Sequence, residues 1–151
     1  MKLEILDYDG ARNYVPKNKT YAIRIFDALQ PTPIHPLKEN DNWVKINEYI
    51  FDDIWPTSWK EFEKDVYLNS MGWDHTRSTL FTEETAIKIL RDFEKHKDNI
   101  EAVLVHCNFG KNRSPAVGIA LNEKYDWGIE NLKEKYPEYR RYIYETMKKF
   151  I

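Results

Sequence analysis

The stretch Ala102-Val103-Leu104-Val105-His106-Cys107-Asn108-Phe109-Gly110-Lys111-Asn112-Arg113-Ser114-Pro115 limits the possible folds more than any other part of the chain. Ala102 to Val105 is a short apolar run of the kind that forms a buried strand. A polar loop with one glycine follows, and from Ser114-Pro115 onward the pattern is helical. Pro115 suits a first helical turn, where a missing N–H costs nothing. The chain therefore predicts a strand, a tight loop and a helix start, with its only cysteine, Cys107, at one end of the loop and Arg113 at the other.

Each part of this unit favours an anion. Successive backbone N–H groups in a tight loop can converge into a nest, and the free N–H groups of the following helix add donors and the positive end of its dipole. Gly110 allows positive φ and a close backbone approach. Arg113 offers a planar fork for two oxygens of a phosphate. The same field favours a thiolate over a thiol at Cys107, so one device both binds the substrate and activates the nucleophile. A lone cysteine after a strand is by default a small buried hydrophobe, and a nearby arginine a solvated one. The strand, His106, Gly110 and Ser114-Pro115 around this pair argue for chemistry instead.

His106 to Ser114 resembles the H-C-x5-R-[ST] signature of the cysteine-dependent protein tyrosine phosphatases, in particular the small dual-specificity-like branch of bacteria and phages. The surroundings extend the likeness over roughly the central two-thirds of the chain: Ile50-Phe51-Asp52-Asp53-Ile54, Phe81-Thr82-Glu83-Glu84 and Ser114-Pro115-Ala116-Val117. Two positions depart from the pattern. Phe109 stands where many relatives have Ala, and Asn112 where many have Ser or Gly.

The resemblance implies a phosphomonoester hydrolase working through a phosphocysteine. Cys107 is the nucleophile. Asn108, Phe109, Gly110, Lys111, Asn112 and Arg113 form the phosphate cradle. His106 orients the loop, and Ser114 hydrogen-bonds Cys107 as it leaves the phosphoenzyme or serves as a helix N-cap. A proton donor is also needed. Asp53 fits the likeness to relatives with Phe-Asp-Asp-Ile, and Asp74, in Trp73-Asp74-His75, is the alternative because it resembles the acid loop of other branches. Neither His35 nor His75 suggests a metal, and the chemistry requires no metal or cofactor. The substrate class is a phosphorylated protein or a small phosphomonoester, with phosphotyrosine as the default. A phosphoinositide, nucleotide or RNA 5′-phosphate substrate and a non-catalytic phosphate-binding protein are the alternatives.

Bulk properties agree. The chain has 151 residues, 42% of them hydrophobic, enough for one domain with its own core. A net charge of −2 with interspersed signs offers no basic field for nucleic acid or an anionic membrane. One cysteine excludes an internal disulfide framework and fits a reducing compartment, so the expectation is a cytoplasmic monomer. No apolar run approaches a membrane span, and the first residues lack a signal-peptide core.

Strands are expected at Leu3–Leu6, Tyr21–Phe26, Trp43–Phe51 and Ala102–Val105. Helices are expected from Ser58 to about Leu68, after Thr82, from Ser114 to about Tyr125, and along Glu130–Phe150 with a break near Pro137. Segments 11–20, 30–36 and 69–80 read as loops. The fold class is α/β. The resemblance implies a mixed, mostly parallel sheet of four or five strands with helices on both faces. The cradle then lies at the carboxyl end of a central strand.

Overall fold

The computed structural model describes residues 1–30, 33–58 and 78–151. Four strands, β1 (Lys2–Leu6), β2 (Thr20–Phe26), β3 (Trp43–Ile50) and β4 (Ala102–His106), form one sheet in the order β1-β4-β2-β3. The helices are α1 (Tyr8–Asn13), α2 (Glu83–Glu94), α3 (Arg113–Lys124), α4 (Leu132–Lys135) and α5 (Arg141–Lys148). The helix expected from Ser58, together with Asp74 and His75, falls largely or wholly outside the described residues; Ser58 itself is buried.

All pairings in this sheet are parallel, with Leu3 opposite Val103, Ile23 opposite Val105 and Tyr21 opposite Lys45. The antiparallel member of a mixed sheet is absent among the described residues. The connections between strands are long enough to return to the same end of the sheet, as parallel pairing requires. β4, last in sequence, inserts between β1 and β2. Its carboxyl end is therefore flanked on both sides, and this is where an open α/β sheet collects the loops that hold a ligand.

Alternation along β2 and β4 divides their side chains between two layers. Tyr21, Ile23, Ile25, Val103 and Val105 enter the larger core, against Phe93 of α2, Val117 and Leu121 of α3, and Ile143 and Met147 of α5. Burying each such aliphatic or aromatic side chain contributes about 1.5–3 kcal/mol. Ala22 and Leu104 face the other way and pack with Ala11 of α1 and with Leu37. Helices thus cover both faces, as expected.

The local signals hold in α2 and α3. Thr82 Oγ1 accepts the Thr85 N–H at 3.2 Å and caps α2. The buried stripe of α2 is Ala86, Ile89, Leu90 and Phe93, whereas Ile87 is half-buried. Gly118 lets α3 approach β1, since a Cβ there would lie 2.9 Å from Ile5 Cδ1. Near the carboxyl terminus Ile143 and Met147 are buried, whereas Tyr139, Tyr142 and Phe150 are half-buried.

Candidate active site

β4 delivers His106 and then Cys107, both buried, to the sheet's carboxyl end. The chain turns back on the sulfur at once. The Gly110 N–H points at Cys107 Sγ at 3.3 Å, and Ser114 Oγ, in the first turn of α3, lies 3.2 Å from the same sulfur. The cap position of α3 is Asn112, so Ser114 faces the thiol rather than serving as N-cap.

Gly110 has φ +68, and a Cβ would fall 2.8 Å from the Asp7 nitrogen and 2.9 Å from the Leu6 carbonyl carbon. Both contacts are backbone, so a side chain has nowhere to go. The loop is pressed against the junction of β1 and α1, where the Tyr8 N–H donates to the Asn108 carbonyl at 3.2 Å.

Arg113 is 3% exposed and held from two sides. Its Nη1 donates to Asp27 Oδ1 at 2.6 Å and to the Phe51 carbonyl at 2.9 Å. Asp27 stands one residue past the end of β2, and its Oδ2 accepts from Asn108 Nδ2 at 2.8 Å. One carboxylate therefore spans both ends of the loop. Gln30 supports it, accepting from the Asp27 N–H at 3.0 Å and donating to Asn108 Oδ1 at 3.2 Å. Of the expected cradle residues, Asn108 and Asn112 spend their side chains on the framework, Asn112 Nδ2 donating to the Glu138 carbonyl at 2.7 Å. Lys111 is exposed, and Phe109 is 75% exposed.

His106 sits beneath the loop with no exposure. It is opposite Arg24 in the β2–β4 register, and Arg24 Nε approaches its Nε2 at 2.9 Å. A guanidinium has only donors, so Nε2 accepts and the ring proton is assigned to Nδ1, 3.3 Å from the Cys107 carbonyl. Burial, and then the adjacent Arg24 charge, push the imidazole down from 6.5 to about 4. His106 is thus a neutral brace on the backbone of Cys107. Arg24 is fixed in turn by the His35 carbonyl at 2.7 Å, Glu48 at 3.5 Å and the face of Phe26 at 4.8 Å.

The aspartates after β3 have separate partners. Asp53 accepts a fork from Arg140, at 2.7 Å to Nε and 3.1 Å to Nη2, and Arg140 also stacks on Trp55 at 4.3 Å. Asp52 accepts from the Thr79 N–H at 2.6 Å and from the Ala28 N–H at 3.4 Å. Burial, and the nearby Asp27 charge, raise the Asp52 carboxyl above its ordinary value.

Cys107, Arg113, Ser114 and His106 are thus brought together around one loop. Asp53 is placed beside Arg140, and Asp74 lies outside the described residues. Sequence reasoning missed Asp27, Arg24, Asp52 and Arg140. Arg24 left a trace as the one charge inside the buried run Tyr21–Phe26, and Asp27 as the first polar residue after it. Among the described residues, no three His, Cys, Asp or Glu side chains are grouped to hold a metal, and no helix is long and apolar enough to cross a membrane.

No family model matches the chain, and no curated protein matches it. Among solved structures, the chain is similar to one described as Tk-PTP in the active form. The two are 17% identical with a TM-score of 0.55, and the match covers 99% of this chain and 90% of that one. At that identity the likeness establishes architecture: the chain has an α/β fold of the protein tyrosine phosphatase type.

Proposed function

We propose that the chain is a cysteine-dependent phosphomonoesterase, with phosphotyrosine as its first substrate and phosphoserine or phosphothreonine as further ones. The observation that best supports this reading is the convergence on Cys107 Sγ of the Gly110 N–H and Ser114 Oγ, beside an Arg113 already oriented by Asp27 and Phe51. Nη1 is spent on that anchor, whereas Nε and Nη2 donate to no described residue. That edge is the one suited to two equatorial phosphate oxygens.

The Cys107 thiolate attacks phosphorus, an S–P bond forms, and the ester O–P bond breaks as the leaving oxygen takes a proton. Water then attacks the phosphocysteine, phosphate leaves, and the sulfur departs as a thiolate with a hydrogen bond from Ser114. Loop amides and Arg113 carry the charge on the phosphoryl oxygens through both steps.

The proton comes from an aspartate. Asp53 and Asp74 are the candidates carried by resemblance, and Asp53 has to release part of the Arg140 fork to act. Asp52 joins them on physical grounds, because its raised carboxyl retains a proton to higher pH than an ordinary aspartate. Hydrolysis of p-nitrophenyl phosphate in metal-free buffer tests the reading. Turnover that vanishes in Cys107→Ser and is blocked by vanadate is the expected result, and no turnover by the wild-type protein would overturn it.

A further inference from the structure

Arg24 is the one charged residue in the buried strand β2, and it is 2% exposed. By strand alternation it shares a face with Ala22, in the smaller core of Ala11, Leu37 and Leu104. A desolvated guanidinium in such a place stabilises a fold less than a well-packed apolar side chain does. Its carboxylate partner Glu48, at 3.5 Å, is half in solvent, so the charge is only partly matched. Stability alone therefore does not account for Arg24. The group it serves is His106, whose Nε2 accepts the Arg24 Nε–H at 2.9 Å.

The effect reaches the cradle through two peptide planes. In a trans peptide the C=O and the next N–H point in opposite directions. His106 Nδ1 lies 3.3 Å from the Cys107 carbonyl, on the buried side of the loop, so the Asn108 N–H is turned to the open side. The Tyr8 N–H holds the Asn108 carbonyl at 3.2 Å in the same way, which turns the Phe109 N–H. Neither of these loop N–H groups donates to a described residue, and the Gly110 N–H beside them points at Cys107 Sγ. The Cys107 carbonyl is held only if Nδ1 carries the proton. With the proton on Nε2 instead, Nδ1 would set a lone pair against that carbonyl, and Nε2–H would face a guanidinium that has no acceptor. Arg24 thereby disfavours the wrong tautomer.

We propose that Arg24 is a positioning residue: by donating its Nε–H to His106 it fixes the Nδ1–H tautomer, and that tautomer holds the Cys107 carbonyl down so that the Asn108 N–H stays aimed at the phosphoryl oxygens. The proposal rests on the phosphatase reading for the identity of the anion. Asp27 orients Arg113 from the side of the loop, and Arg24 orients the backbone amides from beneath it.

The test compares the wild-type protein with Arg24→Met and Arg24→Lys. Imidazole 15N–1H correlation spectra near neutral pH read the tautomer, and the wild-type protein is expected to carry the His106 proton on Nδ1. Arg24→Met, which removes donor and charge, should populate the Nε2–H form, and Arg24→Lys, which keeps both, should restore Nδ1–H. For p-nitrophenyl phosphate, kcat of Arg24→Met should fall about 10- to 100-fold, less than the roughly 100- to 1,000-fold lost with an oxyanion donor removed outright. KM should change less, because loop N–H groups act mainly on charge that develops in the transition state. Arg24→Lys should recover most of kcat. The Asn108 amide signal should shift when inorganic phosphate is added to the wild-type protein, and shift less in Arg24→Met. A purely structural role would lower the unfolding midpoint of Arg24→Met and leave the tautomer and the kcat of the folded protein unchanged, which would overturn the proposal. An Nε2–H tautomer in the wild-type protein, or an Asn108 amide indifferent to phosphate there, would overturn it without any variant having to fold. The expected tautomer and amide shifts in a wild-type protein that turns nothing over would instead overturn the phosphatase reading and leave the positioning role intact.

Discussion

Protonation of His106 offers a quantitative check on the framework under the loop. The ring is fully buried and already accepts the Arg24 Nε–H, so adding a proton puts a second cation 2.9 Å from the guanidinium. The folded state holds this proton only below about 4, and the unfolded chain holds it below 6.5. Between those values the unfolded state binds more protons, so stability rises with pH there. It is fully present above 6.5 and is lost as pH falls towards about 4. At about 1.4 kcal/mol per pH unit, the whole window amounts to about 3 kcal/mol, of which about 2 kcal/mol is gone by pH 5. Urea unfolding between pH 7 and pH 5 measures this directly. His106→Gln can accept from Arg24 through its amide oxygen and does not titrate, so its stability should vary less with pH by about 2 kcal/mol over that range. Parallel pH profiles for the two proteins, or an NMR titration of His106 near its ordinary value, would refute the buried neutral brace.

Other outcomes follow from the loop's anchors. Asp27→Asn keeps the shape but weakens the hold on Arg113, and it is expected to lower kcat/KM for aryl phosphates by up to about 100-fold, as loss of orientation does, which steady-state kinetics will show. Gly110→Ala forces a side chain at φ +68 into the Leu6–Asp7 backbone, so urea unfolding should report a loss of at least about 1–3 kcal/mol. Asn substitutions at Asp52, Asp53 and Asp74, compared on substrates with good and poor leaving groups, identify the proton donor. The donor's variant loses turnover of the poor leaving group selectively, and an Asp53→Asn variant that retains it removes Asp53 from that role.

What could be read from the sequence was local. The strand, the loop, the start of α3 and the Thr82 cap all follow from neighbours within a few residues, and all four appear in the structure. The six-residue α1 escaped notice because Gly10 and its polar content hide it. Its one sign was Asp7, whose Oδ1 accepts the Gly10 N–H at 2.6 Å. The position of β4 between β1 and β2 has no local signature, since it depends on pairing Ala102 with Lys2, 100 positions earlier, and with Thr20, 82 positions earlier. The partners of the site residues were hidden for the same reason. Asp27 reaches Arg113 across 86 positions, Arg24 reaches His106 across 82, and Arg140 reaches Asp53 across 87. Asp53 was chosen by resemblance of its neighbours, and that pattern carries no information about a distant guanidinium.

The central claim is that Cys107 carries the phosphoryl group. Acid quenching during turnover of an aryl phosphate, followed by mass spectrometry of the protein and its peptides, tests it most directly. The account predicts a phosphoryl adduct on Cys107 that is acid-stable enough to map, is absent from Cys107→Ser, and accumulates when the second step is slowed by Ser114→Ala. Turnover without any adduct on Cys107, or an adduct on another residue, would contradict it.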